Sequence, residues 1–135
     1  MLGQLNETTG QERIYRRMTF DVYMNDAPDR TQAAVTWVAA RRVERRAEFK
    51  VEANDESGIA AVYVTFSTGV GTWQSLPLAY DWLMQKWMGH MPTQRPIAWF
   101  VQVVDGGGNV TTANNKGLYF QLDLPYAMYL PRLER

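Results

Sequence analysis

IAWFVQVVDGGGNVTTANNKGLYF, residues 97–120, is the stretch that decides the fold of this chain. Trp99, Val101 and Val103 occupy alternate positions up to the cluster Asp105-Gly106-Gly107-Gly108-Asn109, and a second run restarts at Val110 and leads to Leu118, Tyr119 and Phe120. Period-two alternation on both sides of a Gly/Asn/Asp cluster predicts a β-hairpin, because successive side chains of a strand point to opposite faces. Gly and Asn supply the positive φ angles that a tight reversal requires. On this parity Trp99, Val101 and Val103 point inward, leaving Phe100 and Val104 on the opposite face. The Gly-rich run is not a phosphate loop, since no helix N-terminus follows it.

The same pattern extends upstream. AEFKVEAND (47–55) reads as a strand with Phe49, Val51 and Ala53 inward and Glu48, Lys50 and Glu52 toward water. IAAVYVTFST (59–68) places Val62, Val64 and Phe66 on one face, with Tyr63 on the other. AAVTWVAA (33–40) is a further strand, and RRVERR (41–46) reads as a charged turn or a single helical turn. After Gly69-Val70-Gly71 the chain runs through TWQSLPLAY to DWLMQKWMGHM, where DWLMQKW has spacing for one or two helical turns and Met88-Gly89-His90-Met91-Pro92 reads as a turn. Residues 1–12 are a polar lead-in; 13–24 alternate as an extra strand with Met18, Phe20, Val22 and Met24 on one face. Residues 25–32, with Pro28 and two aspartates, form a loop. Seven or eight short strands with turn signals every 8–12 residues imply an all-β sandwich or small barrel.

Composition narrows the function classes. The 135 residues, 46% hydrophobic and 21% charged, suit one globular domain with a real core. Lys+Arg and Asp+Glu are both 14, so no basic excess attracts nucleic acid. With no cysteine, disulfides and thiolate metal sites are excluded. No apolar run approaches the roughly 20 residues of a membrane span, and MLGQLNETTGQER lacks the layout of a signal peptide. The expectation is a piece of a longer exported chain.

Four strings in order carry a family likeness: Asp55-Glu56-Ser57-Gly58-Ile59 at a strand end, Gly71-Thr72-Trp73 before Leu76 or Leu78, Trp99-Phe100-Val101-Gln102-Val103-Val104-Asp105 with Gly108-Asn109, and Asn115-Lys116-Gly117 with Tyr119 and Phe120. Together they resemble the immunoglobulin-like or fibronectin type III-like modules of large exported bacterial proteins, over roughly residues 33–122. The resemblance implies an immunoglobulin-like two-sheet antiparallel sandwich of about seven strands over residues 33–123. An extra N-terminal strand lies within the lead-in 1–32, and 124–135 form a C-terminal tail. The chain departs from antibody domains in lacking a cysteine pair, so antigen binding does not carry over.

Four constellations bear on function. The sandwich order brings Asp55, Glu56, Asp105 and Asn109 to one pole, a set of hard oxygen ligands of the kind Ca²⁺ prefers; the plainer reading is that each organises its own turn. Trp73, Tyr80, Trp82 and Trp87 lie in weakly patterned segments, where exposed coplanar rings would stack on sugars and buried ones would plug the sandwich edge. Tyr63, Phe100, Val104 and Tyr119 give the second sheet an apolar outer face that something must cover, either the 13–24 strand or a neighbouring domain. Catalysis finds little: one histidine, His90, no nucleophile elbow, and only Asp55 with Asp105 as a carboxylate pair. The expectation is a non-catalytic accessory or structural module of an extracellular or surface protein, partnered by neighbouring domains, without nucleic acid or membrane insertion. Its alternatives are polysaccharide binding and a calcium-rigidified adhesion repeat.

Overall fold

Period-two alternation becomes strand throughout, and there is no helix among the described residues. The computed structural model describes residues 3–5, 12–14, 19–24, 29–69 and 72–123. The strands are β1 (Gly3–Leu5), β2 (Glu12–Ile14), β3 (Ala34–Val43), β4 (Arg46–Asn54), β5 (Ile59–Ser67), β6 (Trp73–Pro77), β7 (Ala79–Asp81), β8 (Lys86–Pro92), β9 (Ile97–Asp105), β10 (Val110–Ala113) and β11 (Phe120–Leu122). β1 and β2 pair with each other. The rest form two antiparallel sheets of a β-sandwich, ordered β3-β4-β8-β7 and β10-β9-β5-β6. β11 pairs with the start of β9, where β5 already occupies the other edge, so it lies on the β10 side.

The core sits between the sheets, where the alternation places it. Phe49 and Val51 from the first sheet are buried against Val62, Val64, Ile97, Trp99, Val101 and Val103 from the second. Phe49 and Trp99 meet edge to face across the sandwich at 5.2 Å, and Phe120 packs on Trp99 at 4.8 Å. Aromatic pairs in these orientations add to the burial of their large apolar area.

Several local expectations change. RRVERR is neither helix nor broad turn. β3 runs to Val43 and β4 begins at Arg46, leaving Glu44-Arg45 as the reversal, with Glu44 at φ 55°. The long arginines remain in the strands because they find partners: Arg41 pairs with Glu48 at 3.1 Å. The Arg42 guanidinium donates to the carbonyls of Thr93, Arg95 and Asp123. DWLMQKW is a hairpin rather than a helix, because Tyr80 and Asp81 pair with Trp87 and Lys86. Its i, i+4 backbone bond, Gln85 N–H to the Asp81 carbonyl at 2.7 Å, belongs to a single turn closed by Gln85 at φ 57°. Met88 to Pro92, including His90, is strand in β8.

TWQSLPLAY splits between the two sheets. β6 pairs with β5, Leu78 crosses over with its N–H on the Val62 carbonyl, and β7 joins β8. The lead-in contains β1, and residues 19–24 are not strand: Phe20, Val22 and Met24 are exposed there. Met18 and the tail 124–135 lie outside the described residues.

Candidate functional site

Three segments meet at one pole of the sandwich: residues 29–33, the β4–β5 turn at 55–58, and the β9–β10 turn at 105–109. Asp105, 1% exposed, accepts at Oδ1 from the N–H of Gly107 at 2.9 Å and of Asn109 at 2.8 Å, and at Oδ2 from the Asn109 side-chain amide at 2.9 Å. A buried carboxylate is tolerable only with such donors. The Asn109 amide also reaches the carbonyls of Asp29 and Thr31, tying the first segment to the hairpin.

Asp55 accepts at Oδ2 from the Ser57 backbone N–H at 2.9 Å and from the Ser57 hydroxyl at 2.6 Å. The same hydroxyl lies 2.8 Å from Asp29 Oδ2, and with one hydrogen it serves one of the two carboxylates at a time. The Ser57 hydroxyl, followed by its backbone N–H, holds the Asp55 carboxyl below its ordinary value, because both bonds favour the ionised form.

Each of Asp29, Asp55 and Asp105 offers an oxygen within 4.8 Å of the others. Glu56, expected in this group, is not in that set and is exposed, while Asn109 faces Asp105 with its amide N–H. Asp29 was not foreseen, since nothing in sequence marks one loop aspartate as the partner of turns far downstream. The only local signal is the donor two residues on, the Thr31 N–H at 2.8 Å from Asp29 Oδ1.

The aromatic residues separate into two groups. Tyr80, Trp82 and Trp87 gather on the β7–β8 hairpin, with Tyr80 4.7 Å from Trp82 at 79° and 5.5 Å from Trp87 at 65°. Rings set edge to face present no flat platform. Trp82 is 84% exposed and Leu83 92%, side by side at the hairpin tip. Asp81 fixes that tip by accepting at Oδ1 from the N–H groups of Leu83 and Met84, both at 2.9 Å. Trp37 on β3, not singled out from sequence, is exposed on the first sheet under the Lys86 ammonium, 5.3 Å from the ring centre; Glu52 pairs with the same ammonium at 3.2 Å.

Trp73 lies elsewhere, on the outer face of the second sheet, half-buried against Phe100 at 5.5 Å and Tyr119 at 5.1 Å. The apolar outer face is thus covered in part from within, and Tyr23 of the 19–24 segment adds a hydroxyl contact with Tyr63 at 3.0 Å. No helix among the described residues is long and apolar enough to cross a membrane.

No family model and no curated protein matches the chain. Among solved structures it is similar to a crystal structure of a carbohydrate-binding module family 56 beta-1,3-glucan binding domain, at 14% identity and a TM-score of 0.45. That alignment covers 61% of this chain and 95% of the other.

Proposed function

We propose that this chain is a non-catalytic accessory module of immunoglobulin-like type that spaces or docks neighbouring domains of a longer exported or surface protein. Strand order supports the type. Lettered along the chain, with β10 and β11 together as the last strand, β3-β4-β8-β7 reads A-B-E-D and β6-β5-β9-β10 reads C′-C-F-G. Those are the two sheets of immunoglobulin sandwiches. A non-catalytic role is supported by how the candidate acid–base pair is used: Asp55 and Asp105 give their oxygens to turn donors.

The observation that carries the docking role is the β7–β8 tip. Trp82 and Leu83 are held out in water by a turn that Asp81 braces. Adjacent large apolar side chains on a braced tip lose little conformational entropy on being covered, which makes them efficient anchors for a partner surface.

Tryptophan emission and acrylamide quenching test this on Trp82→Phe and the parent chain, alone and in a fragment extended by its neighbouring domains. In the isolated chain Trp82 contributes a red-shifted, readily quenched component. In the extended fragment that component becomes blue-shifted and protected. Equal quenching in both contexts would remove the docking role. Trp82→Ala leaves the isolated chain's stability within about 0.5 kcal/mol of the parent, as expected for an exposed position.

A further inference from the structure

Cross-strand pairing puts Gln121, Ala98, Ser67 and Trp73 in one row across β11, β9, β5 and β6. Residues paired across antiparallel strands share a face. Ile97 and Trp99 point into the core, so this row faces outward. Its two middle members are small and its outer members long, which leaves a trough across the sheet. The neighbouring row carries Phe100 and Thr65, and the rings of Trp73 and Tyr119 lean toward each other over it to 5.1 Å. The space beside this aromatic arch has a volume of about 360 Å³, with Ser67, Thr68, Trp73, Tyr119 and Gln121 among its lining. That lies in the range of small-ligand sites, about 300–1,000 Å³.

Tyr119 reaches this position by a local device. β10 ends at Ala113, opposite Val101, and β11 begins at Phe120, opposite Trp99, so six residues, 114–119, stand opposite Phe100 alone. The excursion returns with Tyr119 at φ 60°, a left-handed conformation that is costly for a bulky side chain. Its N–H donates to the Asn114 carbonyl at 2.9 Å and its carbonyl accepts from the Asn115 amide at 3.1 Å. Strained backbone held by such bonds concentrates at ligand clamps.

We propose that this trough is a binding site for a neutral polysaccharide. Among the described residues no charged side chain lines it, so a charged ligand would be desolvated there without a counter-charge. Its polar members are hydroxyl and amide groups, which both donate and accept, as a polyol does. Its apolar members Pro96, Ile97 and Ala98 stand beside the rings of Trp73 and Tyr119, which suit the C–H face of a pyranose ring. A proline-rich segment would also pack on the rings, but its backbone offers almost only acceptors to that polar set.

Affinity electrophoresis of the full chain in gels containing a neutral β-glucan, xylan or galactomannan, or the acidic polygalacturonate, tests the site. A fluorescence titration with a proline-rich peptide runs in parallel. The parent chain and Trp82→Ala are retarded by at least one neutral polysaccharide. Trp73→Ala weakens that binding by about tenfold or more. Gln121→Ala, at an exposed position on the outermost strand, weakens it measurably at an unchanged melting temperature, so the test does not depend on how Trp73→Ala folds. The proposal is overturned by retardation in no neutral gel, by retardation in polygalacturonate alone, by saturable binding of the peptide alone, or by undiminished binding of Gln121→Ala and Trp73→Ala. Loss of the Trp82 docking role would leave this outcome untouched, since the tip and the trough share no residue.

Discussion

Ser57 shows how much of the acidic pole depends on a single hydroxyl. It stands between Asp29 and Asp55, at 2.8 and 2.6 Å, and donates its backbone N–H to the latter as well. These bonds lower the Asp55 pKa in the folded chain, whereas the unfolded chain keeps an ordinary carboxylate value of about 3.9. A depressed folded pKa contributes stability that is complete above the unfolded value and is lost as pH falls through the folded one. Ser57→Ala therefore lowers the melting temperature at pH 7, and its deficit against the parent narrows below about pH 4. Scanning calorimetry between pH 7 and pH 3 checks this; a deficit constant over that range would mean that Ser57 acts by packing and not through Asp55. Legibility at this scale was uneven. Asp55 and Asp105 stood out because each begins a turn string. Asp29 was hidden, because only the tertiary fold brings its loop over the other two.

Turns act as joints between elements as well as reversals within them. The Gly106 N–H donates to the Gly58 carbonyl at 2.9 Å, so the β9–β10 turn packs directly on the β4–β5 turn. A Cβ on Gly106 would lie 2.1 Å from the Ser57 carbonyl oxygen. Of the run 106–108 only Gly108 has positive φ, at 89°. The first glycine is thus required for close approach and the third for conformation, a division that the letters GGG do not reveal. Gly106→Ala should destabilise the chain by about 1–3 kcal/mol, as other overpacked sites do. Urea denaturation measures this, and a midpoint equal to the parent's would show that the two turns are not packed as described. The β7–β8 hairpin makes the complementary point. Trp82, Leu83, Lys86 and Trp87 have helical spacing, yet Tyr80↔Trp87 and Asp81↔Lys86 pair as strands. Over so short a segment the ladder and the neighbouring β4 decide, because an isolated helix of one or two turns is not stable in water.

For the whole molecule, the two sheets are held by a shared apolar core in which Trp99 contacts the opposite sheet. Trp99 is 3% exposed, edge-on to Phe49 of the opposite sheet and stacked near Phe120. Its indole Nε1 has no hydrogen-bond partner among the described residues. Trp99→Ala should cost about 3–5 kcal/mol, enough to threaten a domain of this size. Trp99→Phe should cost less than half as much, because it also removes a buried donor whose desolvation goes uncompensated. Chemical denaturation of both variants checks the pair. A cooperatively folded, undiminished Trp99→Ala would contradict the inward parity of β9, and equal losses would mean that the indole N–H carries no penalty.

What the sequence alone determined is which residues of β4, β5 and β9 face inward, but not the contributions of Leu78 and Met91 to the same core. Period-two alternation is a local consequence of strand geometry, so Phe49, Val51, Val62, Val64, Phe66, Trp99, Val101 and Val103 could be assigned to the core without knowing which strand lies beside which. The turns at 55–58 and 105–109 were legible for the same reason, since Gly, Asn and Asp act within a few residues of themselves, whereas 88–92, read as a turn, is strand and the β7–β8 turn was read as helical. The tertiary structure decided everything that depends on which strands become neighbours. It split TWQSLPLAY between two sheets at Leu78, brought Asp29 to Asp55 and Asp105, and carried Tyr119 across to Trp73. These contacts join residues far apart in the chain, and their geometry is set by pairing register and by the packing of one sheet on the other, which no local pattern encodes.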